Sequence, residues 1–431
     1  MLSPGRDVLG LERISEVLSR LENPQDKLPP VFHVAGTNGK GSTCAFLRAA
    51  IEAEGLKAHV YTSPHLVRFN ERIRIAGQLI EDEYLAQLLA RVLDISEDIN
   101  PSFFEATTAA AFLAFAETPA DACILEVGLG GRLDATNIVA NPVVTGIAAL
   151  GLDHEQFLLA PEDGVPTEPM ARIAFEKAGI TKPGVPLVTQ TYFEDEANWV
   201  IEDVAEAVGA PHFSNTGQTC WAIKEQSKGH LRYVDCQNYE GRQKSHILPP
   251  PQLAGKHQID NAGLAIAMLR HQNAINISME AIATGLQTAY WPGRLQKLSR
   301  GPLIKSREVW LDGGHNASAS YEIWRFVHDN IFVRDLTDKK ETPVHLIIGM
   351  LTSKNPDAYI HQLKDLLASI TVVPVPDHTS HPTSAFGTNA HSARDVASAL
   401  AMIPEDGSPV LIAGSLYLAG EVLKANEQIP D

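Results

Sequence analysis

A glycine-rich turn between an apolar strand and an amphipathic helix restricts the fold of this chain more than any other feature. Residues 31–34 form a short apolar run, residues 36–42 read GTNGKGS, and residues 43–54 place apolar side chains on one helical face. Another apolar run follows at 58–61. A strand, a glycine turn, a helix and a second strand in this order predict a βαβ unit, which belongs to a parallel sheet.

Further apolar runs extend this pattern through the first two thirds of the chain. Residues 122–127 and 143–148 predict buried strands on either side of the turn-rich stretch between them, and an apolar helix is predicted near 107–116. Such runs are typical of a sheet covered on both faces. Residues 190–250 alternate polar and aromatic side chains and predict a mixed, partly antiparallel region, while 258–271 predict an amphipathic helix.

A second set of elements begins after the turn signal WPGR, which ends at Arg294. Strands separated by helical patterns are predicted at 309–312, 344–348, 369–373 and 409–413. The sequence thus predicts an α/β protein with an N-terminal domain over 1–293 and a smaller α/β C-terminal domain over 294–431, which is an ordinary domain size.

Composition and charge exclude several classes of protein. The chain has 431 residues, 44% of them hydrophobic, and a formal net charge of −17. This balance argues against disorder and against nucleic acid or an anionic membrane as the main partner, since both select basic surfaces. No apolar stretch reaches the ~18 residues of a membrane span, and the charged N-terminus does not resemble a signal peptide. The cysteines form neither a zinc signature nor a disulfide framework, so a cytoplasmic protein is predicted.

The glycine-rich turn has the composition of a phosphate-binding loop. Backbone amides at a helix N-terminus can surround phosphate oxygens, Lys40 would reach the outer phosphates, and Ser42 or Thr43 could help hold Mg²⁺. The match to G-x-x-x-x-G-K-[ST] is imperfect, because Val34 replaces the first glycine and Gly41 separates Lys40 from the hydroxyl. The residues alone leave open a glycine turn that binds nothing.

Together with other motifs, this loop resembles the folylpolyglutamate synthase/dihydrofolate synthase family of the Mur ligase superfamily. The motifs run in order along nearly the whole chain: LGLER (9–13), GTNGKGS (36–42), YTSPHLVRFNERIRIAG (61–77), SFFEATT (102–108), ILEVGLGGRLDATN (124–137), LDHE (152–155), FEKAGI (175–180), WPGRLQ (291–296), LDGGHN (311–316), IGML (348–351) and AGSLY (413–417). The resemblance implies a P-loop-containing, Mur-ligase-like N-terminal domain with a parallel sheet and a Rossmann-like C-terminal domain.

The resemblance also implies an ATP site and a metal site. Its ATP-contacting positions match Thr37, Asn38, Gly39, Lys40, Gly41, Ser42, Asn261, Arg294 and Asp312. Ser63, Glu126 and His154 match ligands of Mg²⁺, with K⁺ as a further cation, although a histidine such as His154 taken alone is more often a hydrogen-bonded structural side chain. Lys177 matches a lysine that is carbamylated in the family and helps to hold a second Mg²⁺. Lys40, His154, Lys177 and Arg294 are the predicted catalytic residues.

Two groups of substrate-binding residues follow from the same resemblance. The pterin or folate positions match Leu11, Arg13, Phe103, Phe104, Glu105, Leu133, Asp134 and Ala135, and the glutamate positions match Arg72, His315 and Ser415. An arginine is chemically suited to a carboxylate, and paired aromatic rings offer a flat wall for a bicyclic ligand. Simple core packing is the alternative for the two phenylalanines.

The predicted activity is an ATP-dependent ligation of L-glutamate that proceeds through an acyl phosphate. The acceptors are dihydropteroate, which becomes dihydrofolate, and reduced folates, which become polyglutamates. Only these small molecules are predicted as partners, and a monomer is expected. Two alternatives stay open. One is a Mur-type ligase that joins an amino acid to a cell-wall nucleotide precursor, and the other is a nucleotide-dependent binding protein without turnover.

Overall fold

The chain folds into two compact units. The computed structural model describes residues 9–192, 194–215, 220–226, 229–235, 244–332 and 342–431. The first unit comprises the described residues of segments 1–65, 70–252 and 258–289, and the second comprises segments 66–69 and 253–257 with the described part of 290–431.

A largely parallel sheet forms the centre of the first unit. Its strands are Val31–Ala35 (β1), Ala58–Tyr61 (β2), Ile73–Ile75 (β3), Gln78–Leu79 (β4), Ala122–Glu126 (β5), Val144–Ile147 (β6), Leu187–Thr189 (β7) and His212–Ser214 (β8). They lie in the order β4-β3-β2-β5-β1-β6-β7-β8. The neighbouring strands in the part of the sheet ordered β2-β5-β1-β6-β7-β8 are parallel to each other. Strands β3 and β4 add an antiparallel edge next to β2. The predicted βαβ unit is therefore confirmed.

Helices cover this sheet. They are Glu12–Arg20 (α1), Lys40–Ala53 (α2), Asp82–Ile95 (α3), Phe103–Glu117 (α4), Glu155–Leu158 (α5), Pro169–Ala178 (α6), Asp195–Val208 (α7), His257–Arg270 (α8) and Met279–Thr288 (α9). Residues 105–115 of α4 are buried on every side, because alanines and phenylalanines fill its whole circumference. Helices α2 and α9 pack backbone to backbone: a Cβ on Gly285 would lie 2.6 Å from the amide nitrogen of Ala50.

A small antiparallel sheet accounts for the polar region that the sequence predicted over 190–250. Trp221–Glu225 (β9), Leu231–Asp235 (β10) and Lys244–Leu248 (β11) pair in the order β11-β10-β9. Trp221 and Tyr233 are fully buried. The cysteine just before β9, Cys220, is disulfide-bonded, which its spacing did not predict, and Cys236 lies outside the described residues.

The second unit has its own sheet and core. Its strands are Gln296–Lys297 (β12), Val309–Leu311 (β13), Val344–Ile348 (β14), Leu367–Val372 (β15), His391–Ser392 (β16) and Val410–Ala413 (β17), in the order β12-β13-β17-β14-β15-β16. Only β12 is antiparallel to its described neighbour. The helices are Ala317–Val327 (α10), Pro356–Leu363 (α11), Val396–Met402 (α12) and Leu416–Ala425 (α13). Along β14, Ile347 packs in one apolar cluster and Leu346 and Ile348 in another, so both sheet faces are covered.

Two short segments from the early chain belong to this second unit. Leu66 and Val67 pack against the apolar cluster that contains Leu418. The backbone of Leu66 lies so close to α13 that a Cβ on Gly420 would collide with the Leu66 carbonyl oxygen. Lys256 forms an ion pair of 2.8 Å with Asp329. These contacts explain why the segments group with residues 290–431.

The fold class predicted from the sequence is confirmed, as α/β with a parallel sheet in each unit. None of the helices within the described residues has the length and apolar character needed to cross a membrane.

Candidate functional site

The glycine-rich loop connects β1 to α2, and it forms the N-terminus of the helix. Helix α2 begins at Lys40, three residues before the predicted start, so residues 40–42 already belong to its first turn. Gly39 precedes it with φ +83, a backbone conformation that favours glycine. The first amides of a helix have no partner within it and point outward, which suits an anion.

Side-chain and backbone hydrogen bonds hold this loop in place. The amides of Thr37 and Asn38 donate to the carbonyl oxygen of Ala149, at 2.8 and 3.1 Å. The Thr37 hydroxyl donates to the carbonyl oxygen of Gly151 at 2.9 Å. The Lys40 ammonium donates to the carbonyl oxygen of Gly36 at 2.9 Å. The charge of Lys40 is therefore located over the loop, and the loop is tied to the chain that leads to His154.

Asn261 supports the loop from α8. It is buried, its Nδ2 donates to Gln258 Oε1 at 3.1 Å, and its Oδ1 accepts from Gln190 Nε2 at 3.3 Å. A Cβ on Gly39 would collide with Asn261 Oδ1. The structure thus brings this predicted ATP residue into contact with the glycine-rich loop.

Two of the three predicted metal ligands lie together at the carboxyl ends of neighbouring strands. Glu126 ends β5 and is only 5% exposed. Its Oε2 accepts the backbone N–H of Ser63, which follows β2, at 3.2 Å. His154 is exposed and precedes α5, with φ +54. Among the described residues, His, Cys, Asp and Glu side chains do not form any group of three that could hold a metal ion.

Lys177 is buried, although a lysine on a helix is normally solvated. It lies in the last turn of α6 and is only 4% exposed. Burial, with the charge of Lys40 as a second cause, lowers the pKa of Lys177 to about 7, while the charges of Asp153, Asp134 and Glu176 oppose that shift. The amine is therefore within electrostatic range of Lys40 in the glycine-rich loop, and much of it is neutral near pH 7.

The predicted pterin residues of α1 and α4 contact one another. Arg13 Nε donates to Glu105 Oε2 at 3.0 Å, and the same carboxylate accepts the N–H of Ser102 in a capping box at the start of α4. Leu11 lies just before α1 and is half-buried. Glu105 therefore has a structural role, since it holds α1 against the first turn of α4.

Phe103 and Phe104 are half-buried and have different neighbours. Phe104 packs on Gly128, where a Cβ would lie 2.5 Å from its ring. The guanidinium of Arg72 lies 5.7 Å from the centre of the Phe103 ring, and its Nε donates to His65 Nδ1 at 2.9 Å. Arg72, predicted to bind glutamate, thus lies beside a predicted pterin residue within the first unit.

The segment Leu133, Asp134 and Ala135 is shaped by the Asp134 carboxylate. This buried group accepts from the amide of Leu129 at 2.8 Å and from the amide and hydroxyl of Thr136 at 3.0 and 2.6 Å. Burial raises the pKa of Asp134. The carboxylate therefore holds the segment in its conformation, a role that the motif alone did not reveal.

Four predicted residues lie in the second unit, at the carboxyl ends of β13 and β17. Asp312 is buried, and its two oxygens accept the amides of Leu295 and Gly314 at 2.8 and 2.6 Å. It therefore fixes the turn that carries Arg294. A Cβ on Gly313 would lie 2.8 Å from Arg294 Nη1, so the guanidinium lies against this turn.

His315 and Ser415 lie at the starts of two helices whose preceding turns touch. The amide of Gly414 donates to the carbonyl oxygen of Gly314 at 3.2 Å. His315 precedes Asn316, the N-cap of α10, and Ser415 is the N-cap of α13. Two helix N-termini thus lie near each other, an arrangement that favours anionic groups.

Sequence reasoning left Asp153 and Asn137 without a role. The charge of Asp153 acts on Lys177, and its position next to His154 in LDHE was the available signal. Asn137 Nδ2 donates to the carbonyl oxygens of Arg132 and Gly179 at 2.9 and 3.0 Å. The contact with Gly179 joins segments 42 residues apart, so no local pattern could have indicated it.

Comparisons with known proteins agree with the predicted family. No family model matches the sequence. The chain is 39% identical over 317 residues to the dihydrofolate synthase/folylpolyglutamate synthase of Bacillus subtilis (strain 168), covering 71% of this chain and 69% of that protein. It is similar to the structure of E. coli FolC in complex with DHPP and ADP, with a TM-score of 0.82, 30% identity and coverage of 99% and 95%. It also resembles a Yersinia pestis bifunctional folylpolyglutamate synthase/dihydrofolate synthase complexed with AMPPNP and Mn ion, with a TM-score of 0.81, 31% identity and coverage of 98% and 94%.

Proposed function

The chain belongs to the folylpolyglutamate synthase/dihydrofolate synthase family, and we propose that it is an ATP-dependent ligase joining L-glutamate to dihydropteroate and to reduced folates. The observation that carries the proposal is the phosphate loop with Lys40 located over it and the buried amine of Lys177 within electrostatic range. The similar proteins bind ADP with DHPP, or AMPPNP with Mn.

The proposed reaction activates a carboxylate, which is otherwise a poor acyl donor. A carboxylate oxygen of the pterin substrate attacks the γ-phosphorus of ATP, the bond from that phosphorus to ADP breaks, and an acyl phosphate forms. The glutamate amine then attacks the acyl carbon, phosphate leaves, an amide forms and the amine proton passes to solvent. Lys40 and the first amides of α2 would neutralise phosphoryl charge and align the nucleotide.

The proposal includes Mg²⁺ as the divalent ion, held by Ser63, Glu126 and His154. Mg²⁺ is commonly bound through one or two carboxylates, with water and substrate phosphates completing its shell. The buried carboxylate of Glu126 beside Ser63 fits that pattern, while the imidazole of His154 is the donor that suits Mg²⁺ least. When bound, the ion would supply positive charge to the transferred phosphate. Family resemblance adds K⁺, which is tested by replacing K⁺ with Na⁺ at constant ionic strength.

Lys177 would take part through a carbamate. Its burial and its pKa of about 7 leave much of the amine neutral under physiological conditions, whereas a solvated lysine is almost wholly protonated. The nitrogen lone pair of a neutral amine attacks the carbon of CO₂, an N–C bond forms and a proton is released. The resulting anion would hold a second Mg²⁺.

In the second unit, the proposal assigns glutamate to His315 and Ser415 and phosphate or ribose contacts to Arg294 and Asp312. The two helix N-termini beside His315 and Ser415 favour the carboxylates of glutamate. Since both oxygens of Asp312 accept backbone amides, a bound ribose hydroxyl would share those oxygens with the turn.

The direct test measures ADP release by the purified protein with ATP, Mg²⁺ and L-glutamate, with dihydropteroate in one reaction and tetrahydrofolate in another. Stimulation by both acceptors is the expected result, and products carrying one added glutamate should appear by mass spectrometry. Stimulation by one acceptor reduces the proposal to a single activity. No stimulation over a reaction without acceptor contradicts it, and UDP-linked cell-wall precursors would then be assayed.

The proposal also includes a monomeric state and a cytoplasmic location. Light scattering coupled to gel filtration tests the first, because a monomer should give the 46.8 kDa of the sequence. Fractionation of cells that express the tagged chain tests the second.

A further inference from the structure

Two arginines and two glutamates next to Lys177 form a closed ring of ion pairs. Arg132 Nη2 lies 2.6 Å from Glu162 Oε2 and 2.8 Å from Glu176 Oε1. Arg172 contacts the same two oxygens, with Nη2 2.8 Å from Glu162 and Nε 3.0 Å from Glu176. Each carboxylate therefore bridges both guanidinium groups, and we call these four residues the Arg/Glu ring.

The Arg/Glu ring joins three separate stretches of the first unit. Arg132 belongs to the segment after β5, Arg172 and Glu176 belong to α6, and Glu162 comes from the chain between α5 and α6. The side chains of Arg172 and Glu176 are 7% and 4% exposed, whereas that of Glu162 is 41% exposed. Glu162 thus closes the ring from its outer side, and the neighbouring guanidinium of Arg132 holds the pKa of Glu162 below its usual range.

The Arg/Glu ring lies next to a backbone contact between residues 131–132 and the last turn of α6, which carries Lys177. The amide of Arg132 donates to the carbonyl oxygen of Glu176 at 2.7 Å. A Cβ on Gly131 would lie 3.0 Å from the Cα of Lys177, so the two backbones touch. Since segment 133–135 follows directly, the ring fixes the predicted pterin segment and the last turn of α6 to each other.

We propose that the Arg/Glu ring is a positioning element for Lys177 and that Glu162 is the residue that completes it. Without the charge of Glu162, Arg132 and Arg172 share the single carboxylate of Glu176. The two guanidinium groups then repel each other as like charges that only one negative charge offsets. The last turn of α6 then shifts, and Lys177 leaves its buried position within electrostatic range of Lys40. This inference rests on the proposed role of Lys177 as a carbamate.

The experiment compares Glu162→Gln and Glu162→Asp with Asp163→Asn, a matched control that removes one negative charge from the next, exposed residue. Each protein is equilibrated with ¹³C-bicarbonate, and its carbamate carbon is quantified by ¹³C NMR. The bicarbonate concentration that gives half-maximal ADP release is measured in parallel. Thermal denaturation checks that each variant is folded. If Glu162→Gln does not fold, the same two measurements are made on Glu162→Asp instead.

The expected result is a weaker carbamate signal for Glu162→Gln at fixed bicarbonate and at least a fivefold higher half-maximal bicarbonate concentration. Glu162→Asp should recover part of both, and Asp163→Asn should match the unaltered protein. Equal signals and equal bicarbonate dependence for Glu162→Gln and the unaltered protein overturn the positioning role alone. An unaltered protein that turns over without any carbamate overturns the role of Lys177 and the ring together, while absence of turnover refutes the proposed ligase.

Discussion

Replacement of Gly39 by alanine tests two separate contributions to the free energy of unfolding, both of them at the start of α2. Gly39 has φ +83, and a Cβ there would collide with Asn261 Oδ1. A left-handed conformation costs a residue with a Cβ about 1–2 kcal/mol. Displacing Asn261 also weakens its hydrogen bonds with Gln190 and Gln258, each worth about 1 kcal/mol. The expected loss of unfolding free energy for Gly39→Ala is therefore about 3–4 kcal/mol.

Gly55 is a matched control at the other end of α2. Its φ is +85, and a Cβ there would have no neighbour within 4 Å. Gly55→Ala should therefore show the backbone cost alone, about 1–2 kcal/mol. The difference of about 2 kcal/mol between the two variants then measures the displacement of Asn261.

The assay is urea denaturation of both variants, followed by calorimetric titration with ATP. Gly39→Ala should displace the amides of the first turn of α2 and so weaken ATP binding by about tenfold or more. A tenfold loss of affinity corresponds to about 1.4 kcal/mol of binding free energy. Gly55→Ala should bind ATP normally. Equal destabilisation and equal ATP affinity in the two variants would refute the argument that the alanine Cβ displaces Asn261. In addition, the double variant Gly39→Ala/Asn261→Ala should recover part of the stability lost in Gly39→Ala.

Three other predictions concern the site and the two cores. Lys40→Ala and Glu126→Ala should each abolish ADP release and leave the thermal midpoint of the protein nearly unchanged; near-normal turnover in either variant would contradict the site assignment. Burial lowers the pKa of His33 to about 3, so the folded state takes up fewer protons than the unfolded state between pH 6.5 and 3. Stability is thus fully present above pH 6.5 and falls below it by up to about 1.4 kcal/mol per pH unit, a slope that His33→Asn should flatten in denaturation curves at pH 7.5 and 5.5. Asn426 accepts the amides of Leu303 and Ile304 and donates to the carbonyl oxygen of Ser299. Its replacement by alanine should lower the stability of the second unit by about 2–3 kcal/mol, measured by denaturant titration, and an unchanged midpoint would show that water replaces these bonds.

The sequence predicted best those features that depend on near neighbours in the chain. The glycine loop, the strand before it and the helix after it are contiguous, so their pattern predicted this strand–loop–helix unit, apart from the earlier start of α2 at Lys40. Strand runs were recognisable because parallel strands are apolar on both faces.

Burial and long-range contacts could not be predicted from the pattern. Lys177 occupies a helical position typical of a solvated lysine, yet it is buried, and the backbone of Gly131 lies against the last turn of α6. The two amides that hold Asp312 come from residues on either side of β13, so a motif could suggest a ligand contact there and not the turn that Asp312 stabilises.

The second unit is not encoded by one continuous stretch of sequence, because it includes segments 66–69 and 253–257. A fragment restricted to residues 290–431 would lack Leu66 and Val67 from its apolar cluster and the partner of Asp329, Lys256. A chimera made by a single crossover near residue 290 would therefore combine segments 66–69 and 253–257 of one parent with the sheet of the other. An exchange that keeps these contacts has to move three stretches of sequence together, which are 66–69, 253–257 and 290–431.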